Sequence, residues 1–277
     1  MTTPTPEIAE SVLAAGIVTN LHDTRVDPGG GTVLLIHGSG PGVSAWANWR
    51  LTIPALATRF RVVAPDVVGF GYTERSVPAY DLQTWTSHVV GVLDALGIEQ
   101  AHVVGNSFGG TLAMGMAIDH PDRVRRLGLM GAVGIPFEIT PGLDAVWGYQ
   151  PSVESMRALL DIFTYEPNPD ADALAELRYR ASIQPGFQES FAAMFPPPRQ
   201  QALDRITHDP AQVAQIAAPT MIFHGREDRV IPLAVSWELL RLIPDAQLHV
   251  FGRCGHWTQI EYADDFSRIL GDFLAGG

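Results

Sequence analysis

Short apolar runs rich in β-branched residues recur along the chain and predict buried strands. They occupy residues 32–37, 61–65, 101–105 and 127–130 in the first half, and residues 220–225 and 247–251 further on. Between the runs, apolar residues recur at steps of three and four, as at Leu82, Trp85 and Val89, which predicts amphipathic helices. Strands that alternate with helices predict a mostly parallel sheet with helices on both faces.

The alternation stops between residues 135 and 209. No strand-like run occurs there, prolines cluster in EPNPD and FPPPR, and helical patterns cover 153–164 and 171–183. We interpret this part of the chain as a helical cap inserted into the sheet domain. The predicted organisation is a core domain formed by residues 1–134 and 210–277, with a cap formed by residues 135–209.

Composition excludes several classes of function. The chain has 277 residues and a formal net charge of -12, so its field should repel nucleic acid and anionic membranes. No apolar run reaches the roughly 18 residues needed to span a bilayer, and the N-terminal stretch carries acids where a signal peptide carries cations. We therefore expect a cytoplasmic protein. The single cysteine, Cys254, allows no internal disulfide, and no Cys/His group has zinc-ligand spacing.

The stretch HVVGNSFGGT surrounds one serine with three glycines, where a predicted strand meets a predicted helix. Gly105, Asn106, Ser107, Phe108 and Gly109 fit the G-x-S-x-G turn that presents a nucleophilic serine. Glycines are required there because side chains two residues before and after the serine would collide with neighbouring backbone. Ser107 is therefore the candidate nucleophile, although a glycine-rich turn with an incidental serine would show the same five letters.

A nucleophilic serine needs a histidine base and a carboxylate that orients the histidine. In a sheet of this type the acid and then the histidine follow later strands. Asp228 comes three residues after one late strand, and His256 comes five residues after the next. Glu227 is the alternative acid, because either carboxylate can serve. Other histidines, such as His88, are expected at the surface or at the ends of elements.

An oxyanion hole combines the N–H that follows the nucleophile with an N–H from the loop after an early strand. The first belongs to Phe108, and the second comes from the loop HGSGPG at residues 37–42. Ser39 is the predicted second donor, with Gly38 as the alternative. The loop lacks the lysine and the spacing of a phosphate-binding loop, which disfavours a nucleotide site.

Arg178 lies on the apolar side of a predicted helix. Glu176 and Arg180 are four residues apart and can pair, whereas Arg178 is about 200° around the helix from each, at 3.6 residues per turn. An arginine on an apolar face favours an anionic ligand, and its planar fork suits a carboxylate. The alternative, an arginine paired with a nearby acid, is the more ordinary outcome of such a pattern.

Longer stretches of the chain resemble the meta-cleavage product hydrolases, among them HGSGPGVSAWANWRLTIPAL, VVGNSFGG, ASIQPGFQESFAAMFPPPRQ, HGREDRVIPL and LHVFGRCGHWTQIE. The similarity covers nearly the whole chain and is strongest for the branch acting on 2-hydroxymuconic semialdehyde and its 6-alkyl relatives. It implies an α/β-hydrolase fold and hydrolysis of a carbon-carbon bond in a 2-hydroxy-6-oxo-hexa-2,4-dienoate, in bacterial aromatic-ring degradation. It also implies no metal or organic cofactor, a small anionic dienoate as partner, and a homo-oligomer, either a dimer or larger.

The resemblance also implies substrate contacts. It favours Arg178 as the residue that binds the substrate carboxylate. Asn48, Asn106 and Trp257 match positions that hold the dienoate head, and Trp147 matches the cap side of the pocket. The family's route leaves open whether the serine forms an acyl-enzyme or polarises a gem-diol.

Two other functions remain as alternatives at this point. A carboxylesterase would use the same three residues, and a ligand receptor on this fold would keep them with slow turnover. Haloalkane dehalogenases and epoxide hydrolases are disfavoured, because their nucleophile is an aspartate where this chain has Ser107. A cation at Arg178 favours a carboxylated substrate over a neutral ester.

Overall fold

The computed structural model describes residues 5–75, 77, 79–167 and 171–276. Within them one sheet has the strand order β1-β2-β4-β3-β5-β6-β7-β8. The pairs from β4 to β8 are parallel, whereas β1 pairs with β2 and β2 with β4 in antiparallel fashion. The strands are β1 (Glu10–Ala14), β2 (Ile17–Asp23), β3 (Thr32–Ile36), β4 (Arg61–Pro65), β5 (Ala101–Asn106), β6 (Val124–Met130), β7 (Thr220–Gly225) and β8 (Ala246–Phe251).

Helices follow most of the strands, as the alternating pattern predicts. None of those in the described residues is long and apolar enough to cross a membrane. The helices are α1 (Ala45–Trp49), α2 (Thr52–Leu56), α3 (Leu82–Ala95), α4 (Phe108–Asp119), α5 (Pro141–Trp147), α6 (Val153–Phe163), α7 (Ala171–Ser182), α8 (Phe187–Met194), α9 (Arg199–Asp204), α10 (Pro210–Val213), α11 (Leu233–Leu242), α12 (Thr258–Glu261) and α13 (Ala263–Leu274), with a short 3-10 turn at Pro121–Arg123.

Both faces of the sheet are buried. Along β3, Leu34 and Ile36 pack in one apolar cluster with α3 and α4, while Val33 and Leu35 pack in a second cluster with α1, α2 and α13. Every residue of β5 and β7 is buried. The continuous apolar runs in the sequence therefore reflect strands covered on two sides, as predicted.

The hairpin formed by β1 and β2 is absent from the sequence-based prediction. Its two strands are joined by Ala15 and Gly16, which both have positive φ, as a tight two-residue hairpin turn requires. Leu13 on β1 is 66% exposed and Val18 on β2 is 51% exposed. Because apolar side chains face solvent here, the usual alternation of buried apolar and exposed polar residues is lost.

Residues 135–209, here called the inserted segment, lie between β6 and α10. Their described part contains α5 to α9 and no strand. The helical patterns predicted at 153–164 and 171–183 are confirmed as α6 and α7. Buried side chains such as Trp147, Met156 and Phe163 join the same apolar cluster as α3 and α4, so the segment packs directly on the sheet side. Its assignment as a separate cap domain stays a prediction.

Candidate active site

Ser107 lies in a strained turn between β5 and α4. Its φ of 54° and ψ of -116° place it among the few non-glycine residues with positive φ. The backbone N–H of Ser107 donates to the carbonyl of Met130 at 2.8 Å, which holds the turn against β6. A Cβ atom at Gly105 would overlap the carbonyl of Gly109, and one at Gly109 would overlap the carbonyl of Ile36. The steric reason inferred for these two glycines is confirmed.

Asp228 and His256 meet at the carboxyl ends of β7 and β8. Nδ1–H of His256 donates to Oδ2 of Asp228 at 2.7 Å, because an ionised carboxylate can only accept. Oδ1 accepts the N–H groups of Val230 and Ile231 at 2.7 and 2.9 Å. Burial by itself raises the pKa of Asp228, but electrostatic interactions with His256 and His224 and the hydrogen bonds from His256 and Ile231 outweigh burial and lower it. Asp228 is thus held as a buried anion beside the imidazole.

Glu227, the alternative acid, has other hydrogen-bond partners. Its carboxylate accepts the backbone N–H of Cys254 at 3.0 Å and pairs with Arg226 at 2.7 Å. Of the two neighbouring acids, Asp228 is the one whose carboxylate contacts His256.

Cys254 is fully buried, and burial raises the pKa of its thiol, so it is a packing residue.

A narrow cavity lies over this edge of the sheet. Ser107 and His256 both line it, although no hydrogen bond joins Oγ of Ser107 to the imidazole in the described part of the chain. Leu143, Val146 and Phe163 of the inserted segment form its apolar wall. Of the residues predicted from the sequence, the cavity brings together Ser39, Asn48, Asn106, Ser107, Arg178, His256 and Trp257.

Two backbone N–H groups beside Ser107 have no hydrogen-bond partner among the residues that the structure describes. The N–H groups of Phe108 and Ser39 form no hydrogen bond within the described residues, whereas that of Gly38 reaches Oδ1 of Asn48 at 3.4 Å. A Cβ atom at Gly38 would lie 3.4 Å from the Cβ of Ser107, so this loop runs next to the serine. Within the described residues, the N–H groups without partners are those of Phe108 and Ser39, and the oxyanion hole that they would form stays a prediction.

His37 holds the loop in place. Its Nδ1–H donates to the carbonyl of Gly38 at 2.7 Å, and its Nε2 accepts the N–H of Val67 at 2.9 Å. Burial lowers the pKa of His37 to about 4, so the ring is neutral near pH 7. A neutral ring can donate through Nδ1–H and accept at Nε2. The sequence offered no signal for this role, because the partner on the other strand end lies 30 residues away.

Arg178 is buried, with 3% of its surface exposed. Its Nε and Nη2 donate to the carbonyl of Pro41 at 3.2 and 2.9 Å, and its guanidinium lies 5.6 Å from the ring centre of Phe163 and 5.2 Å from that of Trp257. No ion pair is formed by Arg178 among the described residues; Glu7 attracts it only at longer range. Burial lowers the pKa of Arg178 to about 10, so it remains a cation at neutral pH.

The opposite side of α7 is as predicted. Glu176 and Arg180 form an ion pair at 2.9 Å on the exposed face. The more ordinary outcome for Arg178, pairing with a nearby acid, is not observed among the described residues. The helix therefore presents a cation without an ion-pair partner to the cavity.

The remaining predicted contacts differ in their positions. Nδ2 of Asn48 is buried without a partner among the described residues, and Nδ2 of Asn106 donates weakly to the carbonyl of Met130 at 3.3 Å. Trp147 is not among the described residues that line the cavity. Its indole N–H donates to Oγ of Ser39 at 2.9 Å, so it contacts the loop that carries Ser39.

Phe163 is a site residue that the sequence did not indicate. Its ring stacks on Trp257 with centres 4.5 Å apart and lies 6.0 Å from the ring of His256. Aromatic residues at the ends of helices usually pack in the core. The sequence around Phe163 therefore gives no sign that this residue belongs to the site. The expected position of His88 is wrong, since His88 is fully buried within α3.

Asp66, another acid at a strand end, is separate from the cavity. Its carboxylate accepts from Nδ2 of Asn20 and from the N–H groups of Ala45 and Tyr72 at 2.8, 2.6 and 2.8 Å. Burial raises the pKa of Asp66 to about 7 despite these donors. Asp66 therefore organises the start of α1 rather than the cavity itself.

Comparison with known proteins agrees with this geometry. The alpha/beta hydrolase fold family matches residues 31–263. A 2-hydroxymuconate semialdehyde hydrolase of Pseudomonas sp. strain CF600 is 59% identical over 98% of this chain and 95% of its own length. A 2-hydroxy-6-oxo-2,4-heptadienoate hydrolase of Pseudomonas putida is 55% identical over 99% of both chains.

A solved structure supports the same grouping. The meta-cleavage product hydrolase of Pseudomonas fluorescens IP01 superposes with a TM-score of 0.94 at 56% identity, over 97% of this chain and 98% of its own. The fold and the site therefore define an α/β-hydrolase. Within that class, the chain belongs to the meta-cleavage product hydrolases.

Proposed function

We propose that this protein hydrolyses the carbon-carbon bond of 2-hydroxymuconate semialdehyde and its 6-methyl analogue. The products are 2-hydroxypenta-2,4-dienoate and a small carboxylic acid. The observation that carries this proposal is a buried arginine without an ion-pair partner among the described residues, in the cavity that Ser107 and His256 also line. A neutral ester gives no reason to bury a cation there, whereas a dienoate does.

The substrate carboxylate binds to Arg178. The guanidinium donates two of its N–H groups to the carbonyl of Pro41, and its other N–H groups can donate to a ligand. Nδ2 of Asn48, which has no partner in the described part of the chain, supplies a further donor to the oxygen-rich end of the substrate. The stacked rings of Trp257 and Phe163 give the planar dienoate an aromatic surface to pack against.

Cleavage requires the substrate to accept an electron pair. The dienol first becomes its keto form, with the hydroxyl proton lost from oxygen and a proton gained at C5. An oxygen nucleophile then adds to the C6 carbonyl, and His256 removes its proton through Nε2 while Asp228 stabilises the imidazolium. The N–H groups of Ser39 and Phe108 stabilise the oxyanion at C6. The C5–C6 bond breaks, and its electron pair moves through the conjugated chain to the C2 oxygen.

The geometry of Ser107, His256 and Asp228 supports the proposed roles of the triad. Ser107 is held by its turn at the cavity, and the 2.7 Å bond from Nδ1–H of His256 to Asp228 leaves Nε2 free to accept a proton. The same arrangement serves an acyl-enzyme at Oγ or a water that Ser107 and His256 activate together. Net addition of one water balances both routes.

The wall of the inserted segment favours a small 6-substituent. Leu143 and Val146 from α5, with Val230 from the turn after β7, line the cavity with branched aliphatic side chains. The two relatives at 59% and 55% identity carry names of substrates with hydrogen and methyl at C6. We therefore expect formyl and acetyl substrates to be preferred over the benzoyl substrate.

The proposal also includes a cap formed by residues 135–209, a cytoplasmic location and assembly into a homo-oligomer. The packing of α5 to α7 around the cavity supports the cap, and the net charge of -12 is compatible with a protein that avoids membranes and nucleic acid. Light scattering on purified protein measures the mass of the assembly. A monomer at micromolar concentration would contradict the predicted oligomer.

Loss of colour tests the proposed reaction. Meta-cleavage products absorb strongly as dienolates, so the enzyme should bleach 2-hydroxymuconate semialdehyde and 2-hydroxy-6-oxo-2,4-heptadienoate, and bleach the 6-phenyl compound more slowly. p-Nitrophenyl acetate serves as the esterase control. Fast ester hydrolysis without bleaching would assign a carboxylesterase, and stoichiometric binding of dienoate without turnover would assign a ligand receptor.

A further inference from the structure

The C-terminal end of α6 is attached to both partner turns of the candidate triad. The carbonyl of Phe163 accepts the backbone N–H groups of His256 and Trp257 at 2.8 and 3.2 Å. On the other side, the guanidinium of Arg229, next to Asp228, donates to the carbonyls of Asp161 and Thr164. Helix carbonyls that would lack partners are thus satisfied by the residues beside the acid and the histidine.

A single carboxylate strengthens the histidine side of this junction. Oε1 of Glu261 accepts the N–H of Gly255 at 2.7 Å, and Oε2 accepts the N–H groups of Tyr165 and Glu166 at 2.7 and 3.2 Å. Glu261 is the last residue of α12, whereas Tyr165 and Glu166 belong to the inserted segment. The two oxygens of Glu261 therefore join the turn that carries His256 to the inserted segment.

The joined backbones are in direct contact. A Cβ atom at Gly255 would lie only 2.6 Å from the carbonyl oxygen of Phe163, so the turn lies directly against the end of α6. The hydrogen bonds from Gly255 and Tyr165 to Glu261 join the same two backbones. Since Gly255 directly precedes His256, any displacement of this turn moves the imidazole as well.

We propose that Glu261 is a positioning residue for His256, acting from outside the cavity by clamping the histidine turn to the inserted segment. The inference rests on the proposed function, because it takes His256 as the base that activates Ser107. An ionised carboxylate offers two oxygens with about four acceptor sites, which matches three backbone donors on two sides. A glutamine at this position has one acceptor oxygen, and its amide N–H groups would face backbone donors on the other side.

The test measures the reactivity of Ser107 separately from the number of competent sites. Diethyl p-nitrophenyl phosphate forms a bond between Oγ of Ser107 and phosphorus and releases p-nitrophenolate, while the hydroxyl proton passes to His256. The final amount of p-nitrophenolate counts reactive sites, and its rate of appearance gives the rate constant per site. Glu261→Gln is compared with Asp264→Asn, which removes an equal charge from an exposed residue at the start of α13.

We expect Glu261→Gln to keep about one reactive site per chain and to lose about ten- to a hundredfold in the rate constant per site, because small misplacements of a base have effects of this size. The value of kcat for the dienoate should fall by a similar factor, whereas KM should change by less than about twofold, since the contacts of Arg178 are untouched. Asp264→Asn should match the wild type in all three quantities.

An unchanged rate constant per site in Glu261→Gln would overturn the proposal, as would a loss confined to the number of reactive sites. If Glu261→Gln does not fold, Glu261→Asp keeps both oxygens on a shorter stem and should show the same loss per site. A wild type that reacts with the phosphate ester in a Glu261-dependent way but leaves dienoates intact would contradict the proposed function alone. A wild type that reacts with neither would contradict both.

Discussion

The two sides of the cavity are built differently. On the sheet side, Ser107, Asp228 and His256 follow the ends of β5, β7 and β8, where backbone hydrogen bonds or a paired side chain fix each one. On the inserted side, Arg178 and Phe163 come from helices, and the cation is surrounded by rings and one carbonyl. The first side holds an imidazole bonded to a buried carboxylate near a serine, whereas the second holds a buried cation without an ion-pair partner among the described residues.

This difference indicates a division of labour. Burying a guanidinium without an ion pair costs free energy. A buried cation of this kind is therefore expected where the protein binds an anion. On the sheet side of the cavity, the buried carboxylate of Asp228 is bonded on both oxygens and contacts His256. We therefore expect substitutions on the sheet side to act mainly on kcat, and substitutions on the inserted side to act mainly on the binding of the carboxylate.

The largest expected effect separates chemistry from binding. Ser107→Ala should lower kcat for dienoate hydrolysis by about a thousandfold or more, because the oxygen that takes part in addition is removed. The Kd for the dienoate should stay within a few-fold of the wild type, since Arg178 and Asn48 remain. Single-turnover absorbance and equilibrium titration measure the two quantities.

Two outcomes would contradict this division of labour between the two sides of the cavity. Near-normal turnover in Ser107→Ala would remove the serine from the reaction. A loss of affinity as large as the loss of kcat would show that the two sides of the cavity do not act separately.

A smaller effect concerns the charge on the inserted side. Burial lowers the pKa of Arg178 to about 10, and a cation with a lowered pKa loses its charge as pH rises through that value. Substrate binding by the wild type should therefore be flat from pH 6 to 9. Lysine starts from about 10.4 and experiences the same burial without delocalisation, so Arg178→Lys should lose affinity at a lower pH.

The measurement is the dependence of 1/KM on pH for both proteins. At pH 6 we expect Arg178→Lys to bind about tenfold more weakly, because an ammonium cannot form the two parallel bonds of the guanidinium. Profiles that run parallel from pH 6 to 9 would mean that the residue at position 178 does not carry the charge that binds the substrate.

The smallest expected effect lies at the contact between the two sides. Trp147→Phe removes the N–H that donates to Oγ of Ser39 at 2.9 Å while keeping an aromatic ring against Phe195, whose centre lies 4.3 Å away. One neutral hydrogen bond is worth about 1 kcal/mol, so kcat/KM should fall about fivefold. Trp237→Phe, at a tryptophan that is 52% exposed, is the matched control and should leave kcat/KM unchanged. Equal kcat/KM in both variants would show that Trp147 does not orient Ser39.

The sheet side was predictable from sequence for a physical reason. Ser107, Asp228 and His256 each lie a fixed number of residues after a strand, and the strands are readable because both faces are buried. The glycines beside Ser107 are readable because their absence of a side chain is a local steric need. Local rules therefore predicted the three residues together with most of the sheet.

The contacts across elements were not predictable in this way. Phe163, His37 and Glu261 act through partners that are 93, 30 and 96 residues away, at His256, Val67 and Tyr165, and no spacing rule connects such pairs. The sequence pattern placed Arg178 on the apolar face of a helix. The pattern did not indicate whether an acid would pair with it. The resemblance to a known family decided that point before the structure did.

The most direct test of the division of labour changes Arg178 and the substrate carboxylate together. The wild type and Arg178→Gln are assayed with 2-hydroxy-6-oxo-2,4-heptadienoate and with its primary amide, which lacks the charge. We predict that Arg178→Gln lowers kcat/KM for the acid by about tenfold or more, the effect of one hydrogen bond to a charged group, and changes kcat/KM for the amide by less than about twofold. Equal losses with both substrates would mean that Arg178 does not bind the carboxylate.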